Sequence, residues 1–170
     1  MARYRIVPDQ SQVWIDASSS VHPIHSHTEG LTGEVELTFG ADGALDLGAP
    51  VGGGLSLSTD RLRSGNPLQD RELRRRIEAT RFPTIDGELV AIAAGDEDGH
   101  YEVEGDVSFK GVANRYVGDM AIARREDGSV SLQGAASFDV RDFGMDPPKI
   151  LVLQVHPVVS IRVDVLAVPL

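Results

Sequence analysis

Between positions 101 and 109, apolar residues or glycine hold every odd position, while Glu102, Glu104, Asp106 and Ser108 hold the even ones. Successive strand side chains point to opposite faces, so this stretch predicts a β-strand with one wet and one dry side. On that pattern Val103, Val107 and Phe109 face an interior. The same two-residue period recurs over 12–18, 31–39, 51–58, 85–93, 113–124, 130–140 and 158–168. Turns at Ala41-Asp42-Gly43, 95–99 and Glu126-Asp127-Gly128 join neighbours. The period changes once. Asn66 is an N-cap followed by Pro67 at the first helical position, and Leu73 and Ile77 lie four apart on one face. The spacing predicts one helix over about 67–79, ended by Phe82-Pro83.

Eight or nine strands and one helix, joined mostly as consecutive antiparallel neighbours, predict an all-β fold. A sheet this wide with one dry face removes its edges by closing, so the expected architecture is an antiparallel β-barrel with a helical insertion. Phe39, Tyr101, Phe109 and Phe138 fall on or near the dry faces, and Gly33, Gly52, Gly53, Gly54, Gly105, Gly118 and Gly134 interrupt strand patterns. Glycines inside strands mark bends or close backbone approach, and they also leave room. A barrel of ~8 strands is either plugged by its own side chains or holds one small ligand. The pattern leaves both readings open.

At 170 residues the chain reads as a single domain, 1–170. The absence of cysteine excludes a disulfide framework and any thiolate chemistry. A charge of −10 argues against nucleic-acid binding. No apolar run reaches the ~18 residues of a membrane-spanning helix, and the first residues carry Arg3 and Arg5 without an apolar signal segment. A soluble cytoplasmic protein is the expectation. The basic residues are uneven: Arg61, Arg63, Arg71, Arg74, Arg75, Arg76 and Arg81 fall within one short segment. They read as a solvated helix face supported by Glu72–Arg76 and Arg74–Glu78 pairs four apart, with a local anion site as the rival.

Several short stretches together resemble the YceI-like family. Tyr4, Ser11 and Val13 resemble its opening, and Leu31-Thr32-Gly33-Glu34-Val35 its next strand. Ser56-Leu57-Ser58-Thr59, Asp70-Arg71-Glu72-Leu73 and Phe82-Pro83 follow in the family's order, then 105–112 and Arg141-Asp142-Phe143-Gly144. The resemblance implies a lipocalin-like barrel of eight strands whose elongated pocket takes a polyisoprenoid or another amphiphilic, lipid-like molecule. Two departures stand out. Gln10 and Ser19 stand where histidines are common in the family, and 21–29 reads as an insertion rich in histidine.

If that insertion is extended, His25, His27 and Glu29 point the same way, a donor set for a divalent cation, with His22 able to join by a turn and His156 from a distant strand. The rival readings are contact with a ligand's head group and a plain surface role. Asp139, Asp142 and Asp146 with Arg141 form a polar strand end where carboxylate acid–base chemistry can be imagined. No Walker loop or nucleophile elbow is present.

The expected function is binding, sequestration or transport of an isoprenoid, quinone or lipid-like ligand. Its apolar tail is expected among Val13, Ile15, Val35, Leu37, Val107, Phe109 and Phe138. Its head is expected near His22, His25 and His27, with Phe143 and Met145 as lid residues. The alternative is an enzyme in which the same cavity holds a metabolite and the histidines bind metal or act as base. No catalytic residue is assigned. No cofactor beyond a bound isoprenoid or quinone is expected, a divalent metal being the minority reading, and a homodimer is compatible with the chain.

Overall fold

The strands and helix take their places in a computed structural model, which describes residues 2–20, 23–145, 149–150 and 153–170. The strands are β1 (Ala2–Ile6), β2 (Gln12–Ser19), β3 (Pro23–Glu29), β4 (Thr32–Leu37), β5 (Gly52–Ser58), β6 (Thr84–Ala94), β7 (His100–Phe109), β8 (Val112–Arg124), β9 (Val130–Asp139), β10 (Lys149–Ile150) and β11 (Leu153–Pro169). A single α-helix among the described residues, α1 (Pro67–Arg76), stands between β5 and β6. All pairings are antiparallel. The order β1-β4-β5-β6-β7-β8-β9-β11 closes into an eight-stranded barrel where β11 meets β1, from Tyr4↔Pro169 to Ile6↔Ala167.

β2 and β3 lengthen this ring at one end. β11 runs on past β1 to pair β2, from Gln12↔Asp164 to Ser19↔Val155, and β3 pairs β2 in turn. So β1 with β2, and β3 with β4, are each one long stave broken by a bend. Ser11 makes the first bend possible. Fully buried, its hydroxyl donates to the Leu166 carbonyl and accepts the Leu166 N–H at 3.2 Å, replacing ladder bonds that the bend removes. Thr59 plays the same part after β5, its backbone N–H and hydroxyl both donating to the Pro83 carbonyl.

β4 and β5 approach too closely for side chains at two points. Gly33 lies at φ +142° and Gly53 at φ +109°, and a Cβ there would stand 2.0 Å from the Gly54 oxygen and 2.2 Å from the Glu34 oxygen respectively. The strand glycines at these two positions therefore mark tight backbone contact.

Three elements differ from the sequence pattern. β1 is a wall strand: Tyr4 and Ile6 are buried, while Arg3 and Arg5 turn outward to Glu36 and Glu34. The 23–29 segment is also wall, carried as β3. The helix stops at Arg76 rather than 79, because Glu78 takes a left-handed conformation at φ +52°. The Ala79 N–H then reaches back to the Arg74 carbonyl, a helix-ending arrangement that glycine usually provides.

The interior divides along the barrel axis. Tyr4, Ile6, Leu37, Ile122, Val130, Val165 and Ala167 pack one end solid, and Leu45 folds over it with its N–H donating to the Tyr101 hydroxyl. At the other end, beyond the β1–β2 bend, the staves stand around open space. The barrel is plugged at one end and hollow at the other.

Candidate functional site

The hollow end encloses a cavity of about 230 Å³, just under the ~300–1,000 Å³ typical of small-molecule sites. Alternation supplies most of its wall: Ile15 and Ala17 from β2, Ile24 and Ser26 from β3, Ile85 from β6, Val107 and Phe109 from β7, Phe138 from β9, and Val159 and Ile161 from β11. A short 3₁₀ turn, Val140–Phe143, adds Val140 and Phe143, with Met145 just beyond.

The remaining wall is the segment leading into α1. Asn66 caps the helix, its side-chain oxygen accepting the Leu68 and Gln69 N–H groups at 3.0 and 3.4 Å. That orientation turns Gln69, Asp70 and Leu73 to the cavity. Asp70 is buried, and its carboxylate accepts both the backbone N–H and the hydroxyl of Ser64, each at 2.8 Å. Ser26 on β3 donates its hydroxyl to the Arg63 carbonyl. α1 is thus tied to its own approach loop, and the loop to β3.

These bonds decide the cavity's chemistry. The polar groups of Ser26 and Asp70 are already engaged within the protein, so most of the wall offers only hydrocarbon. Among the described residues no hydrogen-bond partner is found for the Gln69 and His156 side chains, and the Arg63 guanidinium only donates its Nε to the Asp60 carbonyl at 3.4 Å.

Four aromatic rings gather at one side. Phe109 meets Phe143 edge-on at 5.8 Å between centroids, and Tyr116 meets Phe138 at 4.6 Å and Phe143 at 6.1 Å. Tyr116 donates its hydroxyl to Asp142 at 3.2 Å, and the Asn114 amide donates to the Asp142 carbonyl at 2.8 Å. β8 thereby fastens the turn that carries Phe143. Asp139 caps that turn and binds Arg141, whose guanidinium holds the carboxyl below the usual carboxylate range.

Burial, reinforced by the Asp142 charge, pushes the Tyr116 hydroxyl up to about 12. A proton held more tightly in the folded state than at the ordinary value of 10 stabilises the fold fully below pH 10, and this contribution is lost as pH rises toward 12. Urea unfolding followed across that window is expected to show a shallower alkaline decline for Tyr116→Phe than for the parent protein. An identical decline would mean that Tyr116 titrates as it does in the unfolded chain.

Of the residues singled out in the sequence, Ile15, Val107, Phe109, Phe138, Phe143 and Met145 line this cavity. Val13, Val35 and Leu37 are buried in the core and do not line it. His25, His27 and Glu29 do share one face of β3, and it is the outer one, whereas Ile24 and Ser26, which alternate with them, face inward. His25 Nδ1 lies 2.6 Å from Asp16 Oδ1, and the His27 ring stacks on Trp14 at 5.2 Å with Nε2 against Gln12. Among the described residues no three His, Asp or Glu side chains converge as metal ligands. His22 and Asp146 lie outside the described residues. His156, expected from a distant strand as a partner of the β3 histidines, lines the cavity instead, and the sequence reading did not assign Arg63, Gln69 or Asp70 to it, although Asp70 falls within the Asp70-Arg71-Glu72-Leu73 stretch already noted. Of the two helix ion pairs expected, Glu72–Arg76 forms at 2.9 Å; Glu72 also binds Arg75, and no Arg74–Glu78 pair is found among the described residues.

The chain matches the YceI-like domain over residues 4–167. Its fold is similar to that of Burkholderia cenocepacia BcnA, with a TM-score of 0.76 at 14% identity over 95% of this chain and 98% of the other. It is similar too to a polyisoprenoid binding domain from Saccharophagus degradans implicated in plant cell wall breakdown, with a TM-score of 0.73 at 11% identity over the whole of both chains. The Campylobacter jejuni YCEI protein superposes with a TM-score of 0.60 at 13% identity over 81% of each chain. No curated protein matches the sequence. Among the described residues no helix is long and apolar enough to cross a membrane.

Proposed function

Because this chain belongs to the YceI-like family, we propose that its hollow end holds the apolar part of an amphiphilic ligand of the isoprenoid, quinone or lipid type. The observation that carries this reading is the cavity wall, hydrocarbon over most of its surface because its inner polar groups are already bonded within the protein. Each buried methylene of a ligand gains about 0.8 kcal/mol there, and a polar group placed among Phe109, Phe138 and Ile161 would lose its water without a partner. The ligand's polar end belongs beside Arg63, Gln69 and His156, which replace the His25 and His27 of the sequence reading. Its tail lies among Ile15, Val107, Phe109, Phe138, Val159 and Ile161.

The role is carriage or sequestration rather than turnover. Native mass spectrometry of purified protein, followed by organic extraction, is expected to release a small amphiphile in near-stoichiometric amount. A protein that brings no lipid with it, and takes up no fluorescent isoprenoid or fatty-acyl probe, would reject the reading.

A further inference from the structure

The outer face of α1 was not needed for the cavity, and it is chemically unlike the rest of the surface. Seven arginines and four carboxylates lie between 60 and 81, a local charge of +3, and the rest of the chain carries −13. Two of the four carboxylates leave much of this excess standing, since one turns inward and the other is shared by two arginines. Asp70 is buried and bonded to Ser64, and Glu72 is taken up by Arg75 and Arg76. Among the described residues no carboxylate pairs with Arg71 or Arg74.

Leu68, Arg71 and Arg75 lie at i, i+3 and i+7 and are all exposed, so they share one solvent face. Leu68 is 66% exposed, the most exposed of the large apolar side chains among the described residues. Pro67 beside it is exposed as well. An apolar tip flanked by guanidiniums is the pattern of a surface that rests at the boundary of an anionic bilayer, the tip among acyl chains and the cations among phosphates.

We infer that the Leu68–Arg71–Arg75 face of α1 docks the protein onto an anionic phospholipid surface. The opposite face of the same helix, through Gln69, Asp70 and Leu73, is cavity wall. Docking therefore sets the cavity rim at Arg63 and Ser64 close to the headgroups. The overall charge of −10 does not prevent this, because screening over a Debye length of ~8 Å leaves the nearest groups in control at contact. It does orient the protein, because the local positive excess lies on the α1 side.

Flotation with vesicles of phosphatidylcholine alone, or mixed with phosphatidylglycerol, tests the inference. Binding is expected to the mixed vesicles only, and to weaken as salt rises. Each arginine at such a surface is worth roughly fivefold, so Arg71→Gln with Arg75→Gln should weaken binding about 30-fold. Leu68→Ser, at an exposed site, should weaken it further without loss of fold, as read by circular dichroism. An Ala17→Trp variant with its cavity filled should dock undiminished, which separates failure of docking from failure of ligand binding. No binding to mixed vesicles, equal binding to both kinds, or undiminished binding by the double arginine variant would each overturn it. So would retention on a sulfated polysaccharide without vesicle binding, which would assign the face to a soluble polyanion.

Discussion

Gly53→Ala is expected to cost about 4 kcal/mol or more, enough to leave many domains largely unfolded. Two effects combine at this position. A φ of +109° strains any residue with a Cβ, and the new methyl would stand 2.2 Å from the Glu34 oxygen and 2.7 Å from the Val35 Cα. Neither obstacle is a side-chain tip that can swing away; both are backbone atoms of the neighbouring stave. β5 would have to part from β4, and the barrel would open there. Gly43→Ala separates the two effects. Gly43 also has a positive φ, +81°, and nothing lies within 4 Å of its would-be Cβ, so strain alone should cost about 1 kcal/mol. Urea unfolding of the two variants reads the difference directly. Equal losses would show that the β4–β5 approach is looser than described.

The second large effect concerns binding. Ala17 projects from β2 into the cavity that Phe109 and Phe138 also line, with Val159 beside it across the ladder. Ala17→Trp is expected to lower affinity for a fluorescent amphiphile by about 100-fold, because an indole takes the space the tail requires. Stability of the empty protein should change by less than about 1.5 kcal/mol, since the indole enters existing space rather than a packed core. Leu37→Ala is the reverse case. Leu37 is fully buried at the packed end, so its truncation should cost about 2–5 kcal/mol while affinity stays the same. Fluorescence titration and urea unfolding of both variants test the division of the barrel. If Leu37→Ala weakened binding as much as Ala17→Trp, the two ends would not be independent.

The alternation of apolar and polar residues made most of the fold legible. It located seven of the barrel's long strands to within a few residues, and the Asn66-Pro67 pair located the start of α1. β1 escaped notice because five residues containing two arginines carry little apolar signal, even though Tyr4 and Ile6 keep the period. β3 escaped because its polar members are chemically conspicuous. His25 and His27 drew attention as ligands, while Ile24 and Ser26, alternating with them, form the cavity wall.

The candidate site was legible only in one dimension. Alternation tells which face of a strand is dry, and it put Val35, Leu37, Val107 and Phe109 on the same footing. It says nothing of height along the barrel, and height separates the packed pair from the cavity pair. Height depends on register between strands distant in sequence, such as Val159↔Phe138 and Val159↔Ala17. Arg63, Gln69 and Asp70 were equally hidden, because α1 reaches the cavity only through tertiary packing.

The division of the barrel bears on how such sequences can change over time. Substitutions around the cavity alter what is held while drawing little on the stability that the packed end supplies. Substitutions at the packed end are judged by folding alone. Cargo preference can therefore drift through Ile24, Val107, Phe138 or Ile161 without waiting for compensating changes elsewhere.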